Sequence, residues 1–452
     1  MLEEIVERFE QHAPVMVMGR MALEHALDPG WVDAVFDEHR QRQYSRELLF
    51  STVVELVSLV SLGLRPSLHG AAKKMENLPV SLAALYDKVR RTEPAILRGL
   101  VRGSAERLGP VVEPMAGTGS LPGWQLRVID GNHLPGSEKR LKPLRQRRGA
   151  ALPGHALVVY DPDRELVTDM VACEDAYDNE RMGMTPLLEC TQAGQLWIAD
   201  RNFCSATIMK GWEAAGAHFV VREHGTHPPL TGEDDLKACG RVETGEVYEQ
   251  QIGIAGRPLE WRRIELHLDR PTEKGDAVIR LWSNLPSQVG AQRIAELYRK
   301  RWRIEGMFQR LESVLKSEIT SLGHPRAALL GFAVALLAYN ILATLKRCVQ
   351  FAHREHLPQL EVSTYHLALH VRSGYEGMLI ALPASHWQQW ANADPLILTQ
   401  QLLRIARKTR PANLAAAKRA PKIKKTKEYV DVLQASAHFS TYRVLKNAKK
   451  TP

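Results

Sequence analysis

Gln125–Asp130 reads QLRVID, and the sequence on either side of it decides the fold. A short run rich in Val, Ile and Leu that ends at the turn-forming Gly131-Asn132 predicts a β-strand. His155–Tyr160 (HALVVY) and Glu165–Ala172 (ELVTDMVA) have the same character. A helical stretch near Arg181–Thr191 then precedes the strand Gln195–Asp200 (QLWIAD), and a helix at about Ser205–Ala215 leads to the strand His218–Arg222. Three strands followed by alternating helix and strand predict a mixed α/β sheet with helices on its faces. From about 224 to 284, Val247–Ile254, Leu259–Leu268 and Asp276–Leu285 read as further strands, a β-rich insertion, and helical sequence resumes at Ala291 and runs past Lys316.

Upstream of QLRVID, residues 1 to about 110 read as helical. Leu48, Leu49, Val53, Leu56, Val57 and Val60 recur at helical spacing, as do Leu82, Leu85, Tyr86 and Val89. Ser67 and Ser81, each one or two residues after a proline, are expected N-caps. A DNA-binding block and a structural or dimerising bundle both fit this pattern. Gly109 to Gly123 reads as linker.

Two aspartates stand at strand ends, Asp130 in VIDGNH and Asp200 in WIADRNF. Strand ends followed by polar turns are where an α/β sheet exposes functional groups, although a lone Asp there is also a common turn former. The third acid is Glu305 in LYRKRWRIEGMFQRLE. On a helix, Tyr298, Arg301 and Glu305 share one face, and Trp302, Ile304 and Phe308 are expected on the buried side. An ordinary Arg–Glu helix pair is the plain alternative. Three carboxylates suit Mg²⁺, a hard cation, and paired Mg²⁺ ions serve phosphodiester chemistry.

The formal charge of +9 is unevenly spread: Arg404–Pro452 carries 14 Lys and Arg against Glu428 and Asp431, so the other 403 residues are slightly acidic, at −3. Pro411, Pro421 and the Ala-rich stretch between them predict a poorly packed basic tail. A second cluster, Lys139, Arg140, Lys142, Arg145, Arg147 and Arg148, comes after the strand that carries Asp130. Nucleic acid is the anionic partner expected for both, with a solvated tail that aids solubility and a surface loop of incidental charge as the plain alternatives. The five Cys lie 14 or more residues apart, which weighs against a zinc ribbon or a disulfide scaffold and fits a reducing compartment. The acidic N-terminus is not that of a signal peptide. Ala327–Leu345 runs 19 residues without a charge, enough to span a bilayer, but its Tyr339, Asn340 and Thr344 and the lack of a second such span point to a buried core helix and no membrane.

VIDGN at 128–132, ADRNF at 199–203 and YRKRWRIEGMFQRLE at 298–312 together resemble the DDE transposases of the insertion-sequence-4 family of bacterial elements. The resemblance spans about 50 to 350. It implies an RNase H-like catalytic core at 120–223 and 291–350, split by a β-rich insertion at 224–290, preceded by a helical N-terminal domain at 1–110 and followed by a C-terminal helical region and basic tail at 351–452. It implies Asp130, Asp200 and Glu305 as catalytic metal ligands for Mg²⁺, with Mn²⁺ as an alternative, and Tyr298 and Arg301 as contacts to terminal phosphates. It implies double-stranded DNA as partner, a homodimer in the DNA complex, and a cytoplasmic, nucleoid-associated location. Lys139, Arg140, Lys142 and Arg145 are the expected DNA contacts beside the first Asp. The family's closing Lys is replaced by Glu312, with Arg310 and Lys316 as possible stand-ins. Trp261 and Trp282 in the insertion, where relatives use a Trp on flanking DNA, are more simply read as core residues, and His133 and His155 as loop or core residues rather than acid/base groups. Cut-and-paste transposition is the expected activity. An RNase H-like nuclease without strand transfer and a non-catalytic DNA-binding remnant are the alternatives.

Overall fold

The computed structural model describes residues 2–44, 46–75, 77–225, 228–254, 260–272, 275–417 and 438–448. Twelve strands are present among them: β1 (Gln125–His133), β2 (Ala150–Leu152), β3 (His155–Asp161), β4 (Leu166–Cys173), β5 (Gln195–Ala199), β6 (His218–Arg222), β7 (Leu230–Glu233), β8 (Lys237–Val242), β9 (Gly245–Ile254), β10 (Trp261–Leu268), β11 (Val278–Ser283) and β12 (His438–Ser440). Ten of them form one sheet in the order β4-β3-β1-β5-β6-β11-β10-β9-β7, with β8 also on β9. Within this sheet β1, β5 and β6 are mutually parallel and the other pairings are antiparallel, while β12 and β2 pair in parallel apart from it. The fold is therefore mixed α/β with a central, mostly antiparallel sheet.

The β-rich stretch does not stand apart. β11 pairs with β6 through Leu281–Arg222, Trp282–Val221 and Ser283–Val220, so the insertion extends the central sheet. Leu259, expected to open a strand, lies outside the described residues. Trp261 and Trp282 are buried, and their indole N–H groups donate to Glu213 and Glu223, each at 2.8 Å, which confirms both as core residues.

Strand alternation separates two cores. Leu126, Val128, Val158, Leu196, Ile198 and Val220 face the larger one, and Ile129, Val159, Trp197, Ala199, Phe219 and Val221 face a second built on Phe203, Ile208 and Trp212. The larger core is continuous with the N-terminal helices, because the Pro94–Val112 and Pro325–Ala352 helices lie between them and the sheet. Ser67 and Ser81 do cap their helices, accepting from the N–H groups of Gly70 and Ala84. The expected linker is half helix: Pro94–Val112 continues through Pro110 because Leu108, Val111 and Val112 are buried, and a 3₁₀ turn, Glu113–Met115, comes next.

Pro325–Ala352 is long and apolar enough to cross a membrane, yet its apolar window is wholly buried within the protein. Its polar residues have local partners. Asn340 accepts from Val167 N–H at 2.7 Å and donates to Val167 C=O at 2.9 Å, closing the backbone edge of β4 with a side-chain amide. A sheet edge left open would present unpaired donors and acceptors. Tyr339 meets Tyr160, hydroxyl to hydroxyl, at 3.3 Å.

The C-terminus corrects the expectation of a loose tail at both of its described ends. Arg404 and Lys408 lie in or just after the Pro395–Ala406 helix and pair with buried Glu10. Residues 438–448 return to the body, where β12 pairs with β2 and leads into a helix, Thr441–Ala448. The most basic part, Lys418 to Lys427, lies outside the described residues.

Candidate functional site

Register and alternation bring the acids together. β1 and β5 run parallel with Val128 opposite Ile198, and each aspartate lies two residues further along. Asp200 keeps extended backbone, φ −79° and ψ 179°, so Asp130 and Asp200 stay level and in phase with Val128 and Ile198. Both therefore face the larger core's side, the side covered by the Trp302–Val314 helix through Ile304, Met307 and Leu311. The expected strand end at Asp130 is shifted. β1 continues to His133 against β3, while β5 stops at Ala199, so Asp130 has a strand neighbour on one side only. That gap between parallel strands is the crevice in which open α/β sheets place ligands.

Glu305 enters from the helix. Arg301 Nη2 donates to Glu305 Oε1 at 2.6 Å and Nη1 donates to Asp130 Oδ2 at 3.2 Å, so one guanidinium links the two acids. Asp130 is only one-fifth exposed. Burial pushes its carboxyl up to about 7, Asp200 and Glu305 push the same way, and Arg301 opposes them. Burial likewise pushes the Tyr298 phenol up to about 12 against the opposing pull of Arg301. Asp200 caps the Arg201–Phe203 turn, accepting from Asn202 N–H at 2.8 Å.

The helix is not continuous as expected. Ala291–Tyr298 gives way to a 3₁₀ turn, Arg299–Arg301, before Trp302–Val314, which ends short of Lys316. A 3₁₀ turn holds 3.0 residues rather than 3.6, so it rotates the next helix about its axis. Trp302, expected on the buried side, is 47% exposed: it precedes the buried Ile304 by two residues and so lies about 200° around the helix from it. Arg310 is no stand-in for the missing Lys: its guanidinium donates to the buried Tyr339 hydroxyl at 3.3 Å.

One carboxylate escapes the sequence reading. Glu180 Oε2 accepts from Asn202 Nδ2 at 2.6 Å, and its Oε1 lies 3.8 Å from His133 Nδ1. Glu180 thus ties the turn after Asp200 to the strand beyond Asp130. His133 and His155 stack at 5.0 Å between ring centroids, and His155 is buried, a core position in keeping with the simpler reading.

The basic residues 139–148 sit on the hairpin joining β1 to β3, beyond the same strand end, and do not touch the acids. Lys139 donates to Arg147 C=O at 2.7 Å, Arg140 pairs with Glu138 at 2.5 Å, and Arg145 donates to Arg140 C=O at 2.9 Å. Lys142, Arg147 and Arg148 are exposed.

Among the described residues no three His, Cys, Asp or Glu side chains are already gathered as a metal cage. The donor chemistry nonetheless fits a divalent cation. Asp130 is raised partly by two neighbouring carboxylates, the like-charge stress that a hard cation relieves. Residues 124–341, which include all three acids, the hairpin and the insertion, match the family model described as a transposase DDE domain. No curated protein matches the chain.

Proposed function

We propose that the chain is a DDE transposase of the insertion-sequence-4 kind, with an RNase H-like core, catalysing cut-and-paste transposition. The observation that carries the reading is the convergence of Asp130, Asp200 and Glu305 on one face of the sheet, with Arg301 between two of them. The domain match agrees with it. So does the strand order β4-β3-β1-β5-β6 around the acids, with β1 central and parallel to β5.

Asp130, Asp200 and Glu305 would hold Mg²⁺, or Mn²⁺ in its place. Bound there, the cation would supply Lewis-acid polarisation of the phosphodiester and a more acidic water. The chain's own groups do the rest. Arg301 is held by two carboxylates and presents a planar fork suited to a phosphate. Tyr298, a neutral phenol at physiological pH, can donate to the same phosphate. Hydrolysis frees a 3′-OH at the element end, and that hydroxyl attacks target DNA in a second in-line displacement. The hairpin cations Lys139, Arg140, Lys142 and Arg145 lie where flanking duplex would pass. Two copies of the chain are needed to hold two ends, so the acting form is a homodimer on DNA, in a bacterial cytoplasm at the nucleoid.

The test replaces Asp130, Asp200 and Glu305 singly with Ala and measures Mg²⁺-dependent end cleavage, then joining of pre-cleaved ends. Loss of both reactions in all three variants is expected. Substantial cleavage by any one variant removes that residue from the site, and cleavage without joining by the wild type would make the protein a nuclease instead.

A further inference from the structure

We propose that residues 438–448 are a strap that holds the basic hairpin in shape, so that the two segments form one composite surface for the phosphate backbone of duplex DNA. The DNA partner rests on the proposed transposase function. The strap itself rests on the contacts between the two segments.

The hairpin between β1 and β3 is long and has little core of its own. Leu144 and Ala151, its fully buried apolar residues, are covered by Val444 from the other end of the chain, with Leu141 and Phe439 packed against them. The backbone is joined as well: β12 runs parallel to β2, with His438 opposite Ala150, Phe439 opposite Ala151 and Ser440 opposite Leu152. A long loop without secondary structure carries a large entropic burden, and a strand plus a small apolar cluster offsets part of it.

One carboxylate latches the strap. Asp175, buried in the loop after β4, accepts from Ser440 Oγ at 2.6 Å and pairs with Arg443 Nε at 2.5 Å. Tyr177 adds a donation to the His438 carbonyl at 2.8 Å. The hairpin's other anchor is at its base, where Glu138 N–H donates to Thr320 C=O at 2.9 Å.

The charge of the assembled surface names the partner. Residues 134–154 and 438–448 hold eight Lys and Arg and a single acid, Glu138, and one of the eight, Arg443, is offset by Asp175 and Asp178. Glu138 is paired with Arg140, and Lys142, Arg145, Arg147, Arg148 and Lys446 are exposed. The hairpin starts four residues beyond Asp130, so a duplex lying on it would run toward the acids.

Asp175 lets the strap be separated from simple electrostatics. Asp175→Asn removes a negative charge, and on charge alone it would tighten DNA binding. The strap predicts the opposite, because the latch to Arg443 is lost. Val444→Ala, an uncharged change, is expected to act in the same direction. Full-length wild type and both variants are titrated with a fluorescent duplex, and hydrogen exchange is measured along the chain. The expected result is affinity weakened roughly fivefold in each variant, with faster exchange confined to 138–152 and 438–448 and the sheet from 155 to 199 unchanged. Equal or tighter binding by both variants, or unaltered exchange in the hairpin, overturns the strap. A wild type that binds no duplex at low salt overturns the functional reading, while the exchange data still decide whether the strap holds the hairpin.

Discussion

A Cβ on Gly131 would collide with Oε1 of Glu180. Glu180 is held in that place by Asn202, whose backbone N–H donates to the capping carboxylate of Asp200. The glycine in VIDGN therefore leaves room for a carboxylate about fifty residues away rather than forming a turn, since β1 continues through it. Gly131→Ala is expected to destabilise by about 1–3 kcal/mol through overpacking and to depress end cleavage. Glu180→Ala in the same chain should restore most of the stability. A thermal-melt cycle checks this, and strictly additive effects of the two changes would sink the contact.

The link from Arg301 to both Asp130 and Glu305 sets a second expectation. Arg301 holds the Asp130 proton affinity down, so Arg301→Gln raises it. The acid limb of the pH–rate profile at limiting Mg²⁺ then moves to higher pH, because a larger fraction of Asp130 is protonated at any given pH. Arg301→Lys keeps the charge but cannot fork between two acids. Its limb should stay near that of the wild type while the rate falls at least tenfold. A limb that does not move in Arg301→Gln would show that Asp130 is not the titrating group.

Stability in the absence of divalent cations has its own pH signature. Asp130 titrates near 7 in the folded chain and near 3.9 when unfolded. Between those values the folded chain holds a proton that the unfolded chain has lost. The stabilising contribution is therefore complete below the unfolded value and is lost as pH rises through about 7. Asp130→Asn cannot titrate. Its stability relative to wild type should rise by on the order of 1–3 kcal/mol from about pH 5 to about pH 8. Denaturant melts in chelator at several pH values measure it, and parallel curves would remove Asp130 as the source.

β2, β7, β8 and β12 lack a marked apolar run and are not expected from the sequence, whereas β1, β3, β4, β5, β6, β9, β10 and β11 are legible because each is a short apolar run between turn formers, and the order Asp130, Asp200, Glu305 comes with them. Three features are not. The joining of β11 to β6 is a non-local pairing that no local pattern encodes. The 3₁₀ turn at Arg299–Arg301 has the composition of ordinary helix, so the break it makes between the two helices leaves no mark in spacing. Glu180 lies in DNERMG, a polar stretch without periodicity. The available signal is Gly131 itself, since a glycine inside a strand marks a close approach.

Asn340 interrupts the longest apolar run in the chain, and its amide does the work of a neighbouring strand for Val167. Asn340→Leu would bury one N–H and one C=O without partners. A cost of about 2–6 kcal/mol is expected for the two groups, at roughly 1–3 kcal/mol per unsatisfied group. Asn340→Ala, with room for water, should cost less. Equal losses in both variants would mean that packing, not hydrogen bonding, holds this edge of the sheet.

The hairpin cations are not equivalent, and DNA binding should rank them. Arg140 is neutralised by Glu138, and Lys139 is engaged by Arg147 C=O and lies 5.7 Å from the Phe439 ring. Lys142 is exposed, with no anionic partner among the described residues. A cation already paired releases fewer counterions when phosphate arrives. Lys142→Ala should therefore lower the slope of log K against log salt by about one, as expected for a full phosphate contact. Arg140→Ala should lower it by clearly less, and Arg140→Ala with Glu138→Ala should leave affinity close to wild type because the pair is lost as a neutral unit. Titrations across a salt series measure all three. A larger slope change for Arg140→Ala than for Lys142→Ala would place the duplex against the base of the hairpin rather than along its exposed arm.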